Sequence, residues 1–208
     1  AASSRFMISS RDCRKPEWML AVTKSRRARM SSTALKRASW AWPETAAPCY
    51  LRYHSAYLRL VKNWIDSLGV PLLTGAPDYD WGEDGKARTY NGALLIHPGS
   101  WRIQRYHKNH LVPFSERVPW MEELPFFYRF TQKVAPDVGN FTPGDSLVVL
   151  DLHGPGMDPA LRFGAVICYE SIFPDLARKS VAAGANLLVN LTNDAWYGRS
   201  SAPHHSFA

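Results

Sequence analysis

The sequence predicts an α/β domain, and three observations carry that prediction. Residues 164–191 alternate strand, helix and strand; residues 50–68 carry an amphipathic helical pattern followed by apolar runs of strand length; and 46% hydrophobic with 12% aromatic content suffices for one core in 208 residues.

Each element has its own signal. Leu51, Leu58, Val61, Ile65 and Leu68 recur at helical spacing, and Gly69 stands where a helix stops. Residues 70–75 and 90–97 read as strands joined by the turn-rich acidic stretch DYDWGEDGK, residues 101–106 as a third strand, and residues 146–150 as a fourth. Residues 164–167 form an apolar run ending at Cys168. Beyond Pro174, Leu176, Val181 and Ala182 follow helical spacing up to Gly184, and residues 186–191 form another apolar run. That order predicts a parallel strand pair, which places Cys168 and the 193–198 loop together at the carboxyl edge of one sheet. The segment 109–130 carries prolines at 113, 119 and 125 among bulky apolar residues, so it reads as a long apolar loop.

Charge divides the chain. Residues 1–38 carry ten Lys/Arg and two Asp/Glu, whereas residues 39–208 carry fifteen and sixteen. The first segment reads as a basic leader without regular structure, and residues 39–208 as the folded domain. Basicity confined to one end, without a recognisable fold motif, predicts no nucleic-acid partner. No run approaches the roughly 18 apolar residues of a membrane span. Cys13, Cys49 and Cys168 are too few for a disulfide framework or a zinc cluster. His107 with His110, and His204 with His205, lack a third ligand at suitable spacing, so no metal is expected. Gly154 and Gly156 form no phosphate-binding motif, and no cofactor is expected.

A thiol is a useful nucleophile only with a base or a cation beside it. Alone, Cys168 reads as readily as a buried structural thiol. Glu44 and Lys108 each follow an apparent strand directly, where side chains from different strands converge.

Four ordered motifs extend this reading: WPET at 42–45, YHKNHLVPFSERVP at 106–119, CYE at 168–170 and NDAWYGRSSAP at 193–203. Together they resemble the nitrilase (carbon–nitrogen hydrolase) superfamily and, within it, the apolipoprotein N-acyltransferase branch. The resemblance covers about residues 39–208 and implies a nitrilase-like α-β-β-α sandwich. It makes Glu44 the general base, Cys168 the nucleophile and Lys108 the cation that stabilises an oxyanion. The Tyr169 backbone N–H joins Lys108 there, and Glu116, Glu170 and Asn193 support the site. It also implies a phospholipid acyl donor, an acceptor amine on the diacylglyceryl-cysteine of a lipoprotein, and the periplasmic face of a bacterial inner membrane as the place of work. Trp120, Phe126, Trp196 and Tyr197 are expected to cover the acyl chain, although core packing accounts equally for such residues. A hydrolase using the same three residues on a small amide or nitrile is the alternative, and an inactive remnant a further one. Residues 1–39 do not resemble the strand expected ahead of WPE, and the family continues beyond residue 208. The chain therefore reads as a fragment, incomplete at both ends.

Overall fold

The computed structural model describes residues 40–117, 140–153 and 161–193. The strands form two sheets. One has the order β1 (Trp40–Trp42), β2 (Leu72–Trp81), β3 (Ala87–Ile96), β4 (Ile103–His107); the other has the order β5 (Val149–Leu152), β6 (Leu161–Ile167), β7 (Leu187–Leu191). Helix α1 (Ser55–Leu68) covers the outer face of the first sheet and α2 (Pro174–Ala182) packs against β6 of the second.

Period-two patterning builds these layers. Leu72 and Ala76 of β2 and Leu94 and Ile96 of β3 turn outward to meet Tyr57, Val61 and Ile65 of α1. The residues between them, Leu73, Ala93 and Leu95, turn inward with Tyr106 to meet Leu150, Leu152, Phe163, Ala165, Ile167 and Leu191 of the second sheet. Burying each large apolar side chain contributes about 1.5–3 kcal/mol. The expected α-β-β-α layering is therefore present among the described residues.

Several expected boundaries move. Helix α1 begins at Ser55, because His54 adopts φ −100°, ψ 81° and Leu51–Tyr53 forms a separate 3-10 turn. That turn is drawn toward the β2–β3 hairpin: Tyr53 stacks on Tyr79 at 3.8 Å and Arg52 reaches Asp78 at 2.7 Å. The helix stops as expected, with the Gly69 N–H donating to Ile65 O at 2.9 Å. Strands β2 and β3 run on through residues expected to form the turn, in register from Leu72↔Ile96 to Trp81↔Ala87. Acidic residues made that stretch look irregular. Asp78 and Asp80 are instead held inside the ladder by Arg52 and Arg105, with His107 on Asp78 as well.

Strands β6 and β7 pair in parallel from Phe163↔Leu187 to Ile167↔Leu191, as the strand–helix–strand pattern predicted. The inward face of α2 differs from expectation. Leu176 and Ser180 are buried, whereas Val181 and Ala182 are exposed. The reason lies in β6: a Cβ on Gly164 would come within 2.6 Å of the Ser180 side chain, so the missing side chain admits the serine.

Candidate active site

Strand direction sets the site. Strands β1 and β4 run the same way at the two edges of the first sheet, so Glu44 and Lys108 leave it at one edge. Strands β6 and β7 leave the second sheet at Ile167 and Leu191, delivering Cys168 and Thr192. Two intervening strands would keep Glu44 far from Lys108 if the chain continued straight. It folds back instead. Gly75 of β2 donates its N–H to Pro43 O at 3.3 Å, and Ala47 N–H donates to Gly75 O at 3.0 Å. The chain crosses so closely that a Cβ on Gly75 would sit 2.6 Å from Glu44 Cα. Glu44 thereby reaches over β2 toward β3.

There the charged groups meet. Lys108 Nζ lies 3.4 Å from Glu44 Oε1 and 2.9 Å from Glu116 Oε2. The Asn91 side chain of β3 donates through Nδ2 to Glu44 Oε1 at 2.8 Å and to Glu116 Oε1 at 2.7 Å. Glu116 arrives from a tight turn in which its N–H donates to Val112 O at 2.9 Å, while its Oε2 accepts the Val112 N–H at 2.8 Å. Lys108 is 1% exposed and Glu44 6%, so water screens these charges poorly. Burial pushes the Lys108 ammonium down, but Glu44 and Glu116 together outweigh it and hold the group above the ordinary lysine range. Lys108 is thus a fixed cation.

Cys168 lies beside Glu44 and Thr192, and both act on its thiol. Burial pushes its thiol up, the Glu44 charge adds to that, and the opposing pull of Thr192 and Lys108 is too small to reverse it. The resting sulfur is a thiol in contact with a carboxylate. Moving its proton to Glu44 transfers negative charge from oxygen to sulfur without changing the net charge of the cluster, and Lys108 stays close to either site. Cys168 also has φ 50°, a left-handed conformation that costs a non-glycine residue about 1–2 kcal/mol.

Glu170 holds that turn in place. Its Oε1 accepts from Tyr106 Oη at 2.8 Å, Asn109 N at 2.7 Å and His110 N at 3.1 Å, and its Oε2 accepts from Ile167 N at 2.8 Å. The carboxylate therefore ties the exit of β4 to the exit of β6, one in each sheet. Burial and the neighbouring Glu170 charge push the Tyr106 phenol far up, so it stays a donor.

Of the residues singled out in the sequence, Glu44, Lys108, Cys168 and Glu116 share one centre, and Glu170 lies one turn away. Tyr169 follows Cys168 in a 3-10 turn, and Asn193 lies two residues beyond β7, partly buried. Trp120, Phe126, Trp196 and Tyr197 fall outside the described residues, as do His204 and His205. His107 sits on Asp78, and His110 stacks on Phe173 at 4.2 Å. No group of three metal-ligating side chains occurs among the described residues. Sequence reasoning missed Asn91, Gly75 and Tyr106. The available signal was faint: a polar Asn-Gly pair interrupting the apolar strand ARTYNGALLI.

Comparison with known proteins identifies relatives of this chain. The chain is similar to the apolipoprotein N-acyltransferase of Geobacter metallireducens, with 42% identity over 164 residues, covering 78% of this chain and 29% of that protein. It is similar to the protein of the same name from Chlorobaculum tepidum, with 35% identity over 176 residues, covering 78% of this chain and 33% of that protein. The chain thus spans about a third or less of these relatives. A crystal structure of a nitrilase-superfamily member from Saccharomyces cerevisiae aligns with TM-score 0.48 and 18% identity, covering 74% of this chain and 51% of that one. Residues 20–208 match the carbon-nitrogen hydrolase family. On that match, which spans most of its length, the chain belongs to the carbon–nitrogen hydrolase family.

Proposed function

We propose that this chain carries the acyl-transfer centre of an apolipoprotein N-acyltransferase, with Cys168 as nucleophile, Glu44 as base and Lys108 as the oxyanion's cation. The observation that carries the reading is the convergence of Cys168, at the exit of β6, on the buried pair of Glu44 and the Lys108 ammonium, which lie 3.4 Å apart. The names of the relatives supply the substrate class.

In the first step the Cys168 sulfur attacks the ester carbonyl of a phospholipid as its proton passes to Glu44. Lys108, with the Tyr169 N–H, holds the oxygen that becomes negative. The tetrahedral adduct collapses, the C–O bond breaks, Glu44 returns the proton to the departing lysophospholipid, and a thioester remains. In the second step the amine of a diacylglyceryl-cysteine attacks the thioester carbonyl and gives a proton to Glu44; the adduct collapses, the C–S bond breaks, Glu44 returns the proton to the Cys168 sulfur, and an amide is released. Glu116 shares the Lys108 charge, Glu170 fixes the Cys168 turn, and Asn193 borders the site. Trp120, Phe126, Trp196 and Tyr197 cover the acyl chain. Work at the periplasmic face of a bacterial inner membrane belongs to the same reading. Among the described residues no helix is long and apolar enough to cross a bilayer.

The test is intact-mass spectrometry after incubation with phosphatidylethanolamine vesicles. The expected result is one acyl adduct on the parent and none on Cys168→Ala or Glu44→Ala. A folded chain that forms no adduct yet hydrolyses a small amide would overturn the acyltransferase reading in favour of a hydrolase.

A further inference from the structure

Asn91 contacts all three residues whose charges meet at the centre, two through their carboxylates and Lys108 through its main chain. Its Nδ2 donates to Glu44 and to Glu116, and its backbone carbonyl accepts the Lys108 N–H at 2.8 Å. We propose that Asn91 is the positioning residue of this site: its carboxamide holds the two carboxylates side by side as anions, and its carbonyl fixes the backbone that carries the lysine. The inference rests on the reading of Glu44 as the base.

Two carboxylate oxygens within 2.8 Å of one nitrogen are forced into each other's neighbourhood, where like charges repel. The charged and titratable groups facing the pair are Lys108, at the exit of β4, and Cys168, at the exit of β6. One ammonium faces two carboxylates. A carboxamide is suited to the remaining imbalance because it gives each anion an N–H without bringing a charge or a titrating proton of its own.

The other end of the same side chain supports this role. Asn91 is 3% exposed, and its Oδ1 has no hydrogen-bond partner among the described residues. A buried, unsatisfied amide oxygen is destabilising, and an apolar residue at this strand position would avoid the cost. The orientation is fixed all the same, because the nitrogen faces two acceptors. The amide is placed for what its nitrogen does.

The experiment measures how the rate of Cys168 alkylation by iodoacetamide depends on pH, read on the Cys168 peptide by mass spectrometry in the intact chain. Parent, Asn91→Ala, Asn91→Ser and Glu44→Gln are compared. In the parent the rate rises once as the base ionises and again as the thiol itself ionises. A carboxylate pair stripped of a charge-assisted donor holds a proton more readily. Asn91→Ala should therefore move the first rise to higher pH by about one unit, an approximately tenfold slowing below it. Asn91→Ser retains one hydroxyl donor and should recover about half of that shift. The second rise needs no base and should stay within about twofold of the parent in both variants, which separates positioning from misfolding. A slowing of equal size at every pH, or an unmoved first rise while Glu44→Gln abolishes it, would overturn the role of Asn91 and leave Glu44 as base. If Glu44→Gln leaves the profile as in the parent, the reading of Glu44 fails, and the inference built on it falls too.

Discussion

Two buried glutamates stand at the carboxyl edge of the sheets, and they are held in opposite ways. Glu170 is fully buried and accepts four hydrogen bonds, from a phenol and three backbone N–H groups. Its lone pairs are committed to neutral donors that fix two strand exits relative to each other. Glu44 accepts from Asn91 and, at a longer 3.4 Å, from Lys108, both on a single oxygen, and it meets the Cys168 thiol. A carboxylate saturated by backbone donors has little capacity left for a thiol proton. One held by few contacts beside a thiol keeps that capacity. The difference between the two carboxylates thus lies in their partners and not in burial, which is nearly equal.

The sharpest test exchanges the two roles. Glu170→Ala orphans four donors, two of them buried at about 1–3 kcal/mol each and two part-buried, and should lower unfolding free energy in urea by more than about 3 kcal/mol. Glu44→Gln can still accept from Asn91, so its unfolding free energy should fall by under about 1 kcal/mol, while acyl-adduct formation slows by about 100-fold or more. If the two variants gave the reverse pattern, the contrast drawn between these residues would be wrong.

Gly75→Ala comes next in size. The added Cβ would meet the backbone of Pro43, Glu44 and Thr45 at 2.6–2.7 Å, so Glu44 must shift. A displacement of about 1 Å is expected to slow adduct formation by about 100-fold. A smaller effect follows from Tyr106→Phe, which removes one of the four donors to Glu170 and should cost about 1–2 kcal/mol in urea unfolding, with little change in adduct formation. If it instead abolished the adduct while the fold held, Glu170 would belong to the chemistry.

The smallest effect concerns Asp78, away from both glutamates. Burial pushes its carboxyl up, but the hydrogen bond from His107 and the pair with Arg52 outweigh that and hold it below the ordinary 3.8. The unfolded chain then binds this proton more readily than the folded one. The stability contributed by Asp78 is complete above about pH 4 and is lost as pH falls through the lowered folded value. Unfolding free energy should drop more steeply below about pH 4 in the parent than in Asp78→Asn. Parallel curves would mean that the cluster contributes nothing in acid.

Much of this arrangement was legible in the chain. The strand–helix–strand order over residues 164–191 specified a parallel pair and placed Cys168 at its carboxyl edge, because periodicity and strand direction are local properties. The motifs around Glu44, Lys108, Glu116 and Cys168 named the residues that meet. The full length of β2 and β3 was hidden, because Asp78 and Asp80 look like turn residues until Arg52, Arg105 and His107 arrive from distant positions.

What the sequence determined by itself is therefore the parallel strand pair and the strand edge that carries the site, while the layer order and the charged groups followed from the family its motifs resemble. What only the tertiary structure decided is how those groups are held: Gly75 letting Glu44 cross its own sheet, Asn91 bridging two carboxylates, and Glu170 joining two strand exits. The physical reason is range. Periodicity and turn chemistry act over a few residues, whereas the hydrogen bond between residues 91 and 44 exists only once the first sheet has assembled, and that between 106 and 170 only once both sheets have closed on a common core.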